Sequence, residues 1–189
     1  MIIAGIDYSM RSPSICIFTG TENESFTFER CKFNFLTDTK KYADFFLRNI
    51  YGSRFQDWNT DCQRYKSIAD WAIDHLIGCD EIALEGYSFG SKGKVFHIAE
   101  NTGILKYKIH NIGIPLDTIA PTSIKKFATG KGNADKIKMH TSFMQETGIN
   151  LREEITPKKT VVSNPVSDII DSYYICKYLH DRIITSYIN

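Results

Sequence analysis

The sequence lacks the features that mark several large classes of protein. Its five cysteines form no CxxC pair, and none lies near a histidine at zinc-ligand spacing, so free thiols in a reducing compartment are the simplest interpretation. No apolar run approaches membrane-spanning length, and the first residues become charged too soon for a signal peptide. Internal repeats and low-complexity tracts are also missing. We therefore expect a soluble, cytoplasmic protein without a membrane partner.

An excess of overall charge is missing too, because the 189 residues carry a formal net charge of only +1. The charge is distributed unevenly, however. Segment 92–138 contains nine lysines, no arginine and three acidic residues, which gives it a net charge of +6 and leaves −5 for the rest of the chain. That asymmetry predicts a basic face for a polyanion. The length is suited to one domain spanning residues 1–189.

Hydrophobic patterning predicts an α/β domain with a mixed central sheet flanked by helices, because strands come first and then alternate with helices. The first three strands are joined by short connections and should form an antiparallel meander. The predicted strands are 2–7, 15–20, 25–35, 81–87 and 114–120, and the predicted helices are 61–77, 94–112, 122–128, 134–147 and a last helix that opens at Asn164-Pro165. Two segments fit less well. Residues 37–60 are interpreted as a short helix (39–50) plus a loop, and residues 149–163 as a polar loop.

The stretch VSDIIDSYYI, residues 166–175, sets two carboxylates one helical turn apart in a segment otherwise suited to a core. Asp168 and Asp171 share one helix face, and buried carboxylates are unfavourable unless a cation or donors compensate them. Asp7 and Glu85 each end a strand, and parallel neighbouring strands would bring both to the sheet edge where ligand sites gather. Four such oxygen ligands, without a histidine pair or thiolates, favour two Mg²⁺ ions, with Mn²⁺ as a substitute.

Four motifs follow one another along the chain: GIDYS (5–9), IALEGYSFG (82–90), IAPTSIKKFATGKGNADK (119–136) and DIIDSYYI (168–175). In this order and spacing they resemble those of the RuvC-type Holliday-junction resolvases of the RNase H-like superfamily. The lysine-rich block is the most specific of them, and the resemblance covers nearly the whole chain except residues 37–60, which look like an insertion. One departure is that Tyr8-Ser9 stands where the family usually has Pro-Gly, which alters the turn after the first aspartate without removing a metal ligand.

The resemblance implies a role for each matching residue. The implied catalytic acids and metal ligands are Asp7, Glu85, Asp168 and Asp171, and Lys136 matches a lysine near the scissile phosphate. Either Lys125 or Lys126 corresponds to a further basic residue, and either Tyr87 or Phe89 to an aromatic that wedges into the base stack of the junction. The expected DNA-binding residues are Tyr87, Phe89, Lys92, Lys94, Lys125, Lys126, Lys131, Lys158 and Lys159.

The activity implied by the resemblance is a Mg²⁺-dependent, structure-selective DNA endonuclease. Such an enzyme resolves four-way junctions as a homodimer by paired symmetric nicks that leave 5′-phosphate and 3′-hydroxyl ends, with enzyme symmetry matching that of the substrate. The many Lys, Asn and Ile residues are typical of AT-rich genomes such as those of phages and other viruses, in which case the host cytoplasm is the expected location.

Three other functions are compatible with parts of the sequence. The first is a relaxed branched-DNA nuclease that trims flaps, forks or replication intermediates, for which the segment 37–60 and the Tyr8-Ser9 change leave room. The second is a sugar kinase or actin-like ATPase, which also begins with a GIDxS strand but needs two lobes and a second phosphate loop. The third is a catalytically silent DNA-binding module, which the presence of all four acids disfavours.

Overall fold

A seven-stranded mixed sheet forms the centre of the molecule. The computed structural model describes residues 1–87 and 95–188, and its sheet order is β4-β5-β3-β2-β1-β6-β7. The strands are β1 (Ile2–Asp7), β2 (Ser14–Thr19), β3 (Cys31–Thr37), β4 (Phe46–Leu47), β5 (Ile50–Arg54), β6 (Glu81–Glu85) and β7 (Leu116–Ile119). Strands β1, β2 and β3 are antiparallel neighbours, whereas β6 pairs parallel with both β1 and β7. The predicted mixed α/β fold, a meander followed by parallel strands, is therefore confirmed.

Helices cover both faces of this sheet. They are α1 (Asp61–Leu76), α2 (Val95–Asn111), α3 (Pro121–Thr129), α4 (Lys136–Thr147), α5 (Leu151–Ile155) and α6 (Val166–Ile188). Helices α1 and α2 pack on one face, in a buried cluster with the β1 residues Ala4 and Ile6. Helices α3 to α6 share the other buried cluster, which includes Ile3 of the same strand. Alternate residues of β1 thus supply two separate cores, as the period of two in a strand requires.

Gly5 allows β1 and α6 to pack closely. A Cβ atom built on Gly5 would lie 2.6 Å from Cα of Cys176 and 2.7 Å from the carbonyl oxygen of Ser172, both backbone atoms of α6. Such contacts are shorter than van der Waals packing permits, so any larger residue would push the helix away. The close approach matters for the site because Asp7 lies two residues further along β1, on the same side of the strand as Gly5.

The predicted helix over 39–50 is wrong. The segment forms a short 3₁₀ turn (Lys40–Tyr42) and then β4 and β5, which extend the sheet beyond β3. Strand β5 runs parallel to β3, with Ile50 opposite Phe33 and fully buried. A strand pairing with the open edge of β3 satisfies backbone groups that a local helix would leave unused, so tertiary pairing overrides local sequence preference.

Other element boundaries differ by smaller amounts. The third strand begins at Cys31 rather than at residue 25, because Phe28–Arg30 forms a 3₁₀ turn. The segment predicted as a loop over 149–163 contains helix α5, and the last helix begins at Val166, one residue after Pro165. Over the part of the chain that the structure describes, none of the helices combines the length and apolarity needed to cross a bilayer.

Candidate active site

Asp7 and Glu85 end neighbouring parallel strands in matching register. Ile6 of β1 is paired with Leu84 of β6, so the two acids follow side by side, on strands that are about 4.8 Å apart. Both side chains are half-buried. Their parity along the strands directs them to the face that α6 covers, because Ile3 and Ala83 of the same parity belong to the core cluster on that side. The sequence prediction that both acids share one sheet edge agrees with this placement.

Helix α6 brings Asp168 and Asp171 toward the same edge. Asp168 is buried, at 5% exposure, and Asp171 is half-buried one turn later. The helix is fixed against the sheet at this level by a 3.0 Å hydrogen bond between the hydroxyls of Ser14 and Ser172. Because Ser14 is the β2 partner of Asp7, this contact links the helix directly to the strand pair that ends in the first acid.

Burial raises the pKa values of all four acids, and neighbouring acids raise those of Asp7, Glu85 and Asp171 further. Burial is the largest cause of the raised pKa of Asp7, followed by the charges of Asp168, Glu85 and Asp171. Burial, with Glu85 and Asp168, raises the pKa of Asp171 from 3.8 to about 7. Burial also raises the pKa of Asp168 to about 6 and lifts that of Glu85 above its ordinary value. The four carboxyl groups therefore form one interacting cluster in which full ionisation is unfavourable.

Lys136 is positioned beside the cluster by a small hydrogen-bond network. Its ammonium donates to the hydroxyl of Ser167 at 3.1 Å and to Oδ1 of Asn164 at 3.3 Å. The Ser167 hydroxyl in turn lies 3.0 Å from Oδ1 of Asp168. The positive charge of Lys136 acts to lower the pKa values of Asp7, Asp168 and Asp171, against the effect of burial. This lysine is thus connected electrostatically to three of the four acids.

Of the two lysines left open by the motif, Lys125 is the one whose charge reaches the acids. It acts to lower the pKa values of Glu85 and Asp171, whereas Lys126 is exposed on the last turn of α3. Lys131 is exposed as well. Its backbone N–H donates to the hydroxyl of Thr129 at 3.2 Å, so the side chain is the part of Lys131 that could contact DNA.

A pocket of about 430 Å³ opens at this edge of the sheet. Asp7, Glu85, Asp168 and Lys136 line it together with Tyr87, whose side chain is 40% exposed. Asp171 does not line the pocket and influences it through its charge. The Lys106 ammonium lies 5.5 Å from the centroid of the Tyr87 ring. This lysine, for which the sequence predicted no role, therefore makes a cation–π contact with one face of the ring.

The chemistry of the pocket fits a divalent cation. Oδ2 of Asp168 is buried and makes no hydrogen bond to any residue in the described ranges, although the Ser12 hydroxyl nearby favours its charged form. Hard carboxylate oxygens are the ligands preferred by Mg²⁺ and Mn²⁺. Within residues 1–87 and 95–188, however, no three His, Cys, Asp or Glu side chains stand close enough together to coordinate an ion. Asp7, Glu85 and Asp168 therefore share a pocket without a completed coordination geometry.

The remaining predicted DNA-binding residues divide into two groups. Phe89, Lys92 and Lys94 lie outside the described residues. Lys158 and Lys159 are exposed and line a second groove of about 950 Å³, which lies next to the pocket.

Sequence reasoning missed the polar residues that support the pocket. Ser167 and Asn164 hold Lys136, and neither has a motif that separates it from an ordinary helix start. The turn after β1 was noted only as a departure. In it Tyr8 is buried against the α1 side of the core, and Ser9 Oγ accepts a 3.0 Å hydrogen bond from the Ser12 N–H. This turn places Arg11 at the mouth of the pocket.

Comparison with solved structures agrees with this arrangement of elements. The Thermus thermophilus RuvC structure superposes with a TM-score of 0.63 at 13% identity, covering 100% of this chain and 96% of that one. The chain has the RuvC-type fold. The same RuvC in complex with Holliday junction substrate gives a TM-score of 0.61 at 12% identity, with 100% and 96% of the two chains covered. The yeast mitochondrial Holliday junction resolvase Ydc2 gives 0.55 at 14% identity, covering 98% of this chain and 80% of the other.

Sequence comparison finds no such relationship. No family model matches the chain, and no curated protein does. The resemblance indicated by the four motifs is therefore confirmed at the level of the RNase H-like fold. The roles of individual residues rest on the geometry of this chain.

Proposed function

We propose that the protein is a metal-dependent DNA endonuclease that resolves four-way junctions. The observation that carries the proposal is the meeting of four acids from β1, β6 and α6 in one electrostatic cluster, with Lys136 beside them, at the end of a RuvC-type sheet. Burying so many like charges together is unfavourable unless a ligand compensates them. A structural role alone would not require that arrangement.

Asp7, Glu85, Asp168 and Asp171 would hold the divalent ions, with Mg²⁺ preferred and Mn²⁺ able to replace it. Ions bound in this way supply an activated water and stabilise charge on a phosphate undergoing in-line displacement. The side chains of the protein supply the rest. The Lys136 ammonium can offset negative charge on the scissile phosphate, while Ser167 and Asn164 keep it oriented. Lys125 contributes positive charge on the Glu85 side of the pocket.

Incubation with a synthetic four-way junction tests the proposal. The protein should nick the junction in Mg²⁺ or Mn²⁺, leave 5′-phosphate and 3′-hydroxyl ends that a ligase can seal, and stop when chelator is added. Symmetric nicking also requires two copies of the site, so the active species should sediment as a dimer. An intact junction in both metals, at a protein concentration that saturates binding, would refute the nuclease assignment.

A relaxed branched-DNA nuclease remains the second candidate. It is favoured by the groove of about 950 Å³ beside the pocket, part of which is built by the added segment 37–60. Cleavage of junctions, flaps and forks side by side distinguishes the two functions. Equal rates on all three substrates would support the relaxed enzyme, whereas a strong preference for the four-way junction would support the resolvase.

Tyr87 offers a test of base stacking at the pocket. Replacing Tyr87 with Ala should slow junction cleavage by about 5- to 150-fold, because stacking on an aromatic ring contributes about 1–3 kcal/mol per base. Tyr87→Phe is the matched control, since it keeps the ring and should cleave at close to the original rate. Equal rates for both variants would show that the ring makes no stacking contribution.

A further inference from the structure

A groove of about 950 Å³ adjoins the acidic pocket. The turn after β1 and the connection 156–165 before α6 form two of its walls. Residues of the added segment 37–60, together with Arg64 of α1, form the third. Arg11, Arg64 and Asn164 line both cavities, so the groove and the pocket are adjacent. A ligand held in the groove would therefore lie next to the acidic pocket.

The groove is strongly basic. Five cations line it, facing the single acid Asp38, and the remaining walls carry mostly hydroxyl groups. These cations are Arg11, Lys41, Arg64, Lys158 and Lys159. None of the five is ion-paired with a described residue, whereas Arg48, Lys177 and Arg182 each pair with a carboxylate. Unpaired cations concentrated in a concave surface attract a polyanion.

Trp58 adds an aromatic surface to this groove. Its side chain is 38% exposed, and the Arg64 guanidinium lies 4.7 Å from its ring centroid. Arg64 is itself fixed by a 2.6 Å hydrogen bond from Nη2 to the carbonyl oxygen of Met10. Sites for single-stranded nucleic acids combine basic side chains, which bind the phosphates, with an exposed aromatic ring, on which a base stacks. The groove has both features, and the cation–π contact with Arg64 holds the ring of Trp58 in place.

We infer that this groove is a second nucleic-acid site, which holds an unpaired single-stranded segment of the DNA substrate next to the acidic pocket. Its volume is in the range of pockets that hold a drug-sized ligand, so it has room for a few nucleotides and not for the width of a duplex. The inference rests on the proposed function only in taking DNA as the substrate. It assigns a role to residues 37–60, whose Lys41 and Trp58 have no counterpart among the catalytic motifs.

Fluorescence of Trp58 gives a test that requires no cleavage. The chain has two tryptophans, so the variant Trp71→Phe leaves Trp58 as the only indole reporter. Titrating this variant with a short oligothymidylate in chelator should quench its emission saturably. A duplex of equal length should quench it far less. Absence of quenching, or equal quenching by the duplex, would overturn the inference.

The cations are tested by salt dependence. Replacing Lys41 and Lys158 with Gln should reduce the slope of log K against log salt concentration by about 1.4, because each phosphate contact on a single strand contributes about 0.7. The matched control replaces Lys66 and Lys108, both paired with Asp70, and removes the same charge without changing the slope. Trp58→Ala should weaken oligothymidylate binding by about 5- to 150-fold. An unchanged slope in the Lys41 and Lys158 variant would overturn the inference.

The two proposals fail in different ways. Oligothymidylate binding in a protein that never cuts a junction would overturn the nuclease assignment and leave the groove as a nucleic-acid site. Normal junction cleavage by a protein that does not bind the oligothymidylate would do the reverse. Circular dichroism of each variant checks that it is folded.

Discussion

The carboxylates at the two ends of the central strands have different surroundings. Where β1 and β6 begin, Asp80 accepts a 2.7 Å hydrogen bond from the Ile2 N–H. Arg182, near the end of α6, donates to Glu81 at 2.6 Å and also pairs with Asp117. Where the same strands end, Asp7 and Glu85 meet two further acids from the start of α6.

The same helix thus neutralises acids at one end of the sheet and adds acids at the other. At the Arg182 end, Asp80, Glu81 and Asp117 each have a hydrogen-bond or ion-pair partner. At the pocket end, Lys136 and Lys125 act against four acids whose pKa values are all raised. The pocket is therefore not a general consequence of the fold, because the same fold provides partners for the carboxylates at the other end. Clusters of buried carboxylates with raised pKa values and too few cations are typical of functional sites.

The largest expected effect is a loss of junction cleavage when an acid at the pocket end of β1 or β6 is replaced, with no such loss at the other end of the strands. Asp7→Asn and Glu85→Gln should each reduce junction cleavage by at least about 10²- to 10³-fold, the loss that follows removal of one preorganised electrostatic contact, while junction binding is retained. Glu81→Gln, on the same strand as Glu85 but at the other end, is the control and should cleave normally. Gel assays of binding and cleavage measure both quantities, and normal cutting by the Asp7 variant would refute the metal assignment.

The next effect is a loss of stability when the close packing of β1 against α6 is disturbed. Gly5→Ala should destabilise the protein by about 1–3 kcal/mol or more, because the added methyl group meets α6 backbone atoms, and should also slow cleavage by displacing Asp168 from Asp7. Gly103→Ala is the control. That glycine lies in α2 with open space around it, so the same change should stabilise the protein by about 1 kcal/mol. Urea unfolding measures both, and equal stability of the two variants would contradict the packing argument.

A pH-dependent effect on stability should appear only at the pocket end. The pKa of Asp171 rises from 3.8 to about 7 on folding, so the metal-free folded protein binds this proton more tightly than the unfolded chain. The contribution of the protonated Asp171 to stability is then complete below about pH 4 and is lost as the pH rises through 7. Asp171→Asn should stabilise the metal-free protein at pH 7.5, by on the order of 4 kcal/mol at about 1.4 kcal/mol per pKa unit, and less at pH 5.

Thermal unfolding in chelator at the two pH values provides the measurement. Arg182→Gln, which removes a group that stays charged at both, should shift stability equally at pH 5 and 7.5. In the unsubstituted protein, Mg²⁺ should raise the unfolding temperature more at pH 7.5 than at pH 5. A stabilisation by Asp171→Asn that does not depend on pH would contradict the clustered-acid interpretation.

The smallest effect is expected from the ion pairs at the other end. Arg182→Gln removes the contacts to Glu81 and Asp117, but the three side chains are 43%, 29% and 37% exposed. Partly exposed pairs contribute about 0.2–1 kcal/mol, so the free energy of unfolding should fall by less than about 1 kcal/mol. Junction cleavage should not change. A large loss of cleavage with stability preserved would show that the two ends are coupled and would break the comparison.

The sequence was sufficient for the parts of the fold that depend on local periodicity. The buried strands β1 and β6, helices α1 and α2, and the meander all follow patterns of period 2 or 3.6 that a single segment displays. The four acids could be assigned to strand ends and one helix turn for the same reason. Their convergence needed one further rule, that parallel strands end at the same edge.

The added strands and the groove could not be predicted in this way. Strand β5 exists because the edge of β3 offers hydrogen bonds, and nothing within 39–54 reveals that edge. Likewise, Lys41, Arg64 and Lys158 lie far apart in sequence, and each alone resembles an ordinary surface charge. Only the fold shows that they line one groove and have no carboxylate partners there.

The positions of the charged residues along each strand or helix follow from the sequence, because they depend on neighbours a few positions away. Which of these charges come close together depends on the packing of the whole chain. Compensation of a buried charge depends on atoms within a few ångströms in space, and Arg182 compensates Glu81 from 101 positions away along the chain. The same long-range packing leaves Asp7 and its three acidic neighbours with too few cations.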